Sequence, residues 1–203
     1  LTPLRPAVYV FFRTFAHQII RSSNMERVKV RDKEFTISIS EEKIRERVRA
    51  VAAAISRDFE GRKPIFLAVL NGSFVFAADL LRGVSIPCEV AFVRLSSYSG
   101  TSSTGNVRQL LGLDVSLKGR PVVVVEDIVD SGLTMQELLN ILRKQEPEEI
   151  RIASLLVKPD NLQVPLSIDY RCFDIPSDFI VGYGLDYDGE GRNLPCIYTV
   201  VDD

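Results

Sequence analysis

Apolar positions recur three and four residues apart from Glu41 onward: Ile44, Val48, Val51, Ile55 and Phe59 fall on one side of a helix. Ser40 stands where it can cap that helix, and Glu41 and Glu42 suit the positive end of its dipole. After Pro64 the period changes. Ile65–Leu70 is a short unbroken apolar run, the pattern of a buried strand; Asn71-Gly72 stops it, and Ser73–Arg82 reads as a helix. Cys88–Leu95, rich in β-formers, reads as the next strand, and Val107–Leu111 is also strand-like. Pro121–Val125 (PVVVV) is the strongest strand signal, β-branched and non-alternating, as in a strand buried on both faces of a parallel sheet. A helix over Thr134–Gln145 and a strand over Ile150–Val157 follow, then shorter strand candidates at Ile168–Cys172, Phe179–Val181 and Ile197–Val201. Strand–helix–strand alternation of this kind predicts an α/β fold with a mainly parallel central sheet flanked by helices.

Two stretches break the pattern. In Ser96–Asn106, nine of eleven residues are Ser, Thr or Gly, and Tyr98 is the single large side chain. Too little apolar surface is available there to offset ordering entropy, so a mobile loop or lid is expected between the flanking strands. Residues 1–24 are aromatic-rich and acid-free, with Arg5, Arg13 and Arg21. They read either as a targeting presequence or as an upstream extension with Met25 the true start; the second is the expectation, and 25–203 then forms a single domain.

Charge and composition narrow the chemistry. Three of the 25 basic residues lie in that first segment, so the other 179 residues hold 22 basic against 27 acidic groups, a net charge of −5. Such a body has no field for nonspecific nucleic-acid binding, though a phosphorylated small molecule needs only a few local donors. Cys88, Cys172 and Cys196 are odd in number and widely spaced, as expected of free thiols in a reducing compartment. His17 is the only histidine. Histidine-based triads and histidine-rich zinc sites are thereby excluded from the body, and acid–base work falls to carboxylates, lysine or tyrosine.

The informative stretch is Val122–Thr134, VVVVEDIVDSGLT. A buried strand runs into Glu126 and Asp127, Asp130 follows three residues on, and a Ser-Gly turn leads to a helix opened by Thr134. Thr134-Met135-Gln136-Glu137 fits a capping box. Ligands of open parallel sheets bind beyond the carboxyl ends of strands, and a phosphate prefers a helix N-terminus. Ser131, Gly132 and Thr134 therefore read as a phosphate cradle behind an acidic ledge. Three acids repel a bare polyanion, so the ligand that reconciles both halves is a sugar phosphate with free hydroxyls, or one carrying magnesium.

This stretch resembles the phosphoribosyl-pyrophosphate (PRPP) motif of type I phosphoribosyltransferases. More narrowly, the chain from about Met25 to Val201 is similar to the hypoxanthine-guanine phosphoribosyltransferases. Carrying that likeness are Leu70-Asn71-Gly72-Ser73-Phe74, Ser96-Ser97-Tyr98 with its loop, Leu156-Val157-Lys158-Pro159, the run Phe179 to Tyr187, and Arg192-Asn193-Leu194-Pro195. The resemblance implies the type I phosphoribosyltransferase fold with a small hood built from terminal segments. It also implies purine salvage in the cytoplasm: transfer of the phosphoribosyl group from PRPP to hypoxanthine or guanine with Mg2+, by a homodimer or homotetramer acting on small molecules.

By that resemblance Glu126 and Asp127 act at the ribose hydroxyls, directly or through the metal, and Asp186 is a metal-linked carboxylate. Asp130 handles the proton near N7 of the purine, and its neighbouring acids are expected to raise its proton affinity. The loop Asp130, Ser131, Gly132, Leu133 and Thr134 takes the 5′-phosphate. Lys158 donates to the base's exocyclic oxygen, Phe179 stacks on the ring, and the backbone of Ile180 reads the base edge beside Asp186. Asn71 and Gly72 present amides to pyrophosphate across a cis Leu70–Asn71 peptide, with Arg192 on the same group; relatives often carry lysine at the position of Asn71. Ser97 and Tyr98 form a closing lid. Two rivals stand beside this reading: a transferase for another base, such as xanthine or a pyrimidine, and a PRPP-sensing regulator that binds nucleic acid.

Overall fold

A computed structural model describes residues 27–98 and 107–201. The expectations for residues 1–24, for a start at Met25 and for the loop tip at 99–106 lie outside the described residues. In chain order the elements are β1 (Arg27–Val30), β2 (Lys33–Ile39), α1 (Glu41–Asp58), β3 (Ile65–Val69), α2 (Phe74–Gly83), β4 (Glu89–Tyr98), β5 (Val107–Leu111), β6 (Pro121–Val129), α3 (Leu133–Arg143), β7 (Glu149–Val157), β8 (Tyr170–Asp174), β9 (Ile180–Val181) and β10 (Ile197–Val200), with a short 3₁₀ turn at Pro159–Asn161.

The central sheet has the order β5-β4-β3-β6-β7-β8. Five of its strands run parallel, and only β5 is antiparallel, paired with β4. The four consecutive valines of β6, Val122 to Val125, are fully buried, as their unbroken apolar pattern requires. Val123 and Val125 point to one face, where Phe66, Ala68 and Leu155 meet Val48 and Ile55 of α1 and Phe76 and Leu80 of α2. Val122 and Val124 point to the other, where Ile65, Leu67 and Ile152 meet Leu138 and Leu142 of α3. Helices thus cover both faces. α1 forms as its stripe predicts: Ser40 accepts a 3.4 Å hydrogen bond from the Lys43 amide, and Ile44, Val48, Val51 and Ile55 are all buried.

The chain enters the sheet at β3, adds β4 on one side, then returns to add β6 on the other. The strand order reverses between β3 and β6, and a crevice opens beyond their carboxyl ends at such a point. Above it stands the hood, an antiparallel sheet of order β1-β2-β10-β9 that joins both ends of the described chain.

Several boundaries differ from expectation for physical reasons. β6 does not stop before the acids but runs on to Val129, because β7 offers matching partners at Glu126↔Ser154, Ile128↔Leu156 and Val129↔Val157. β4 extends through Ser96, Ser97 and Tyr98, which pair with Gln109, Arg108 and Val107, so the expected loop loses its first three residues to a strand. β8 begins at Tyr170 rather than Ile168, since the Asp169 carboxylate already takes the Ile152 amide at 2.8 Å. α3 starts at Leu133. Its cap is Gly132 in the left-handed region (φ 78°), and the capping box expected at Thr134 is displaced into the first turn.

Candidate functional site

Three segments converge on the crevice, and the first is the turn leaving β3. The Leu70–Asn71 peptide is cis. Ser73 is buried and donates to the Val69 carbonyl at 2.6 Å, which folds the turn back onto its own strand. Gly72 lies under the Asp127 carboxylate so closely that a β-carbon there would fall 1.5 Å from Oδ2. Only a residue without a side chain lets the β3 turn and the β6 acid share this space.

The second segment is the end of β6 and the loop after it. Glu126 is 9% exposed, with Oε1 accepting from the Asp127 amide at 3.2 Å. Burial first, and the neighbouring Asp127 carboxylate second, push its proton affinity well above the ordinary glutamate value of 4.5. Glu126, Asp130, Ser131, Gly132, Thr134 and Leu70 line one cleft of about 240 Å³. The Leu133 amide reaches Ser131 Oγ at 3.4 Å, which shapes the loop where the α3 amides emerge.

Asp130 corrects its expected electrostatics. Burial alone raises its proton affinity, but hydrogen bonds from Asn161 and Lys158 and the Lys158 charge outweigh it, holding the carboxyl below the ordinary aspartate range. Lys158 Nζ lies 3.1 Å from Oδ2 and Asn161 Nδ2 lies 2.8 Å from Oδ1. Lys158 is buried at the end of β7, and its amide donates to the Val129 carbonyl at 2.9 Å, so β7 hands the lysine directly to the β6 loop. Asn161 and Ser177, whose hydroxyl donates to Asn161 Oδ1 at 2.5 Å, carry no motif and were not anticipated.

The third segment, from Phe179 through β9 to Arg192, closes the crevice from the hood. Gly184 packs on the Gly72 carbonyl, where a β-carbon would fall 2.1 Å from the oxygen. Arg192 donates to the Gly184 carbonyl at 2.6 Å and pairs with Asp186 at 2.6 Å, while Asp186 also accepts from the Gly189 amide at 2.7 Å. Phe179 is 43% exposed, its ring 5.4 Å from Tyr187 edge to face and 6.0 Å from the buried Phe35. Ile180 is buried in β9 opposite Thr199.

The predicted site residues therefore fall into linked groups. Glu126, Asp130, Ser131, Gly132 and Thr134 share a cleft that Leu133, exposed at the start of α3, does not line; Lys158 joins them through Asp130, and Asp127, Gly72, Gly184, Arg192 and Asp186 form a second chain of contacts. Asn71 is exposed at the turn, its carbonyl accepting from the Phe74 amide at 3.4 Å. Ser97 and Tyr98 are placed only as backbone in β4. Among the described residues no three His, Cys, Asp or Glu side chains gather as a metal cluster, and Asp186 stands apart from the adjacent Glu126 and Asp127. Asp186 instead sits on Arg192.

The buried Glu126 carboxyl has a measurable consequence. A carboxyl with raised folded-state proton affinity favours the fold below its unfolded value and loses that contribution as pH rises through the folded one. Glu126→Gln has no such loss. Its urea midpoint should match wild type near pH 4.5 and exceed it increasingly toward neutral pH, while any turnover falls. A midpoint difference that stays constant with pH contradicts this.

Comparisons with known proteins agree with the geometry. The phosphoribosyl transferase domain family matches residues 39–188. The chain is 40% identical over 164 residues to the hypoxanthine-guanine phosphoribosyltransferase of Streptococcus pneumoniae R6, covering 79% of this chain and 90% of that one. It is 39% identical over 162 residues to the bifunctional protein TilS/HprT of Listeria monocytogenes, and there it spans only a quarter (25%) of the relative's length. A crystal structure of a Bacillus anthracis hypoxanthine-guanine phosphoribosyltransferase with HEPES in its active site superposes with a TM-score of 0.76 at 42% identity, over 85% of this chain and 100% of that one. The chain thus belongs to the phosphoribosyltransferase family, in the group of its hypoxanthine-guanine members.

Proposed function

We propose that the protein transfers the phosphoribosyl group of PRPP to hypoxanthine or guanine, giving IMP or GMP and pyrophosphate, as a purine-salvage enzyme of the cytoplasm. The observation that carries this reading is the single cleft shared by the acid Glu126 and the amide-rich loop from Asp130 to Thr134 at the strand-order reversal. A sugar phosphate is the ligand that uses both halves. Amides at the start of α3 and the Ser131 and Thr134 hydroxyls hold its 5′-phosphate, and the carboxylates face its hydroxyls.

The reaction is a displacement with oxocarbenium character. Purine N9 forms its bond to the ribosyl carbon as pyrophosphate leaves with the electron pair of the broken C–O bond. The N7 proton passes to Asp130, whose partners keep it ionised and ready to accept. Glu126 and Asp127 stabilise the electron-poor sugar. Arg192, with the turn amides of Asn71 and Gly72, binds the leaving pyrophosphate. Lys158 donates to the 6-oxo group, Phe179 stacks on the ring and Ile180 reads its edge beside Asp186. Ser97 and Tyr98 close over the centre and exclude water.

Adjacent carboxylates suit Mg2+, which takes one or two protein carboxylates and completes its shell with water and substrate oxygens, and Asp186 would offer it a separate carboxylate. Glu126 and Asp127 would hold the ion, which supplies charge neutralisation to the pyrophosphate when bound. Residues 25–203 act as a single transferase domain, and the protein self-associates as a dimer or tetramer. No helix among the described residues is long and apolar enough to cross a membrane.

The direct test is pyrophosphate release from PRPP and Mg2+ with each base in turn. Hypoxanthine or guanine should support it. Release with xanthine or a pyrimidine alone would move the assignment to another base, and a salt-dependent nucleic-acid shift without turnover would favour a regulator. Lys158→Gln should raise KM for guanine and hypoxanthine by roughly tenfold, the scale of one charged hydrogen bond, and leave the PRPP constant unchanged. Normal KM values for both bases in that variant would remove Lys158 from base reading.

A further inference from the structure

Asp130 offers two carboxylate oxygens, and the fold commits a donor to each from residues far along the chain. Lys158, at the end of β7, takes Oδ2. Asn161, in the turn three residues later, takes Oδ1 at 2.8 Å. A lone ammonium would leave the carboxylate free to turn about its Cβ–Cγ bond; a second donor on the other oxygen fixes its plane. Asn161 is itself held. Its amide donates to Lys158 O at 3.1 Å, closing the 3₁₀ turn, and Gln163 N donates to Ser131 O at 3.0 Å, tying that turn to the Asp130–Gly132 loop.

A carboxamide can face either way, and only one way serves Asp130. With Oδ1 toward the carboxylate, two acceptors would meet. Ser177, arriving from the segment between β8 and β9, donates its hydroxyl to Asn161 Oδ1 at 2.5 Å, which leaves the NH2 toward Asp130. The arrangement is a relay of neutral groups from Ser177 through Asn161 to Asp130, with the ammonium of Lys158 opposite. The backbone carbonyl of Ser177 lies 3.5 Å from Lys158 Nζ, so one residue touches both donors.

We infer that Asn161, oriented by the Ser177 hydroxyl, is a positioning residue of the reaction: its amide holds the Asp130 carboxylate in the plane from which it takes the purine proton. The inference rests on the phosphoribosyl-transfer reading above, in which Asp130 is the proton acceptor. Each carboxylate oxygen keeps a second lone pair, so a bound purine N–H still finds an acceptor after both donors are in place. Because Asn161 meets Asp130 and not the phosphate loop's amides, its loss should act on the chemical step rather than on substrate binding.

The test is steady-state kinetics of the full chain as wild type, Asn161→Ala and Ser177→Ala, with PRPP, Mg2+ and hypoxanthine, beside thermal melting. Asn161→Ala should lower kcat roughly tenfold, the scale of one hydrogen bond to a charged group, with KM for both substrates within about twofold of wild type. Ser177→Ala, a truncation at an exposed position, should lower kcat in the same direction by a smaller factor with the same KM pattern. Unchanged kcat in both variants, or KM rising while kcat holds, overturns the role assigned to Asn161. A wild type that releases no pyrophosphate with any base overturns the transfer reading itself, so the two failures are told apart by the wild-type rate.

Discussion

Asp130→Asn should lower kcat by about 10²–10⁴-fold, the range for losing a positioned acid–base group, and leave PRPP affinity within a few-fold of wild type. The split follows from where the side chain sits. Its two oxygens face Lys158 and Asn161, and in the proposed reaction the 5′-phosphate takes other donors, in the Ser131–Thr134 stretch. An asparagine there keeps the shape but turns an NH2 toward either an ammonium or another carboxamide NH2, so donor meets donor. It also leaves the buried Lys158 without its counter-charge. The Asp130 side chain is about half exposed (49%) and asparagine has nearly its shape, so little packing is lost with the change. Single-turnover kinetics and equilibrium PRPP binding measure the two quantities separately. Equal losses in both would remove Asp130 from the chemical step.

Gly72→Ala should reduce kcat/KM for PRPP by roughly 10²-fold with little change in melting temperature, since about an ångström of misplacement in a catalytic group is enough for such a loss. The added β-carbon would meet Asp127 Oδ2 at 1.5 Å and Cγ at 2.5 Å. Both atoms belong to a side chain that can rotate away, and Gly72 has no positive φ for alanine to resist. Relief therefore comes by moving the acid, at the expense of function. Gly184→Ala makes the opposite case. Its φ is 101° and its β-carbon would meet the backbone oxygen of Gly72 at 2.1 Å, so nothing cheap can move. That variant should lose stability by about 1–3 kcal/mol as well as activity. If Gly72→Ala instead melts as early as Gly184→Ala, the turn is a packing element and not a seat for Asp127.

Much of this arrangement was legible in the residue order because its causes are local. Four consecutive valines with no alternation describe a strand wet on neither side, and β6 has α1 and α2 on one face and α3 on the other. The stripe from Ile44 to Phe59 needs only its own spacing to declare α1. The hood is implied by the resemblance, but its β1–β2 hairpin was not anticipated, although Phe35, Ile37 and Ile39 alternate; Arg31 and Asp32 interrupt the pattern at the turn, and charged and hydroxyl side chains fill the outer face. At α3 two local signals competed, and the left-handed Gly132 prevailed over the Thr134 capping box. What could not be read was the setting of Asp130. Its neighbours in sequence are acids, which argue for a raised proton affinity, whereas its neighbours in space are Lys158 and Asn161, brought in 28 and 31 residues later. Asn161 and Ser177 are single polar residues in loops, and only the packing of β7 and β8 beside β6 gives them a task.

In the proposed reaction, acid and amide at the end of β6 hold opposite ends of one ribose phosphate. The decisive measurement is a crystal structure with the product nucleotide, IMP or GMP. The 5′-phosphate should lie against the backbone from Ser131 to Thr134, the ribose hydroxyls should face Glu126 and Asp127, and the purine should lie between Phe179 and Lys158. A nucleotide bound elsewhere, or seated there with its phosphate turned toward Phe179 and its base on the α3 loop, would contradict it.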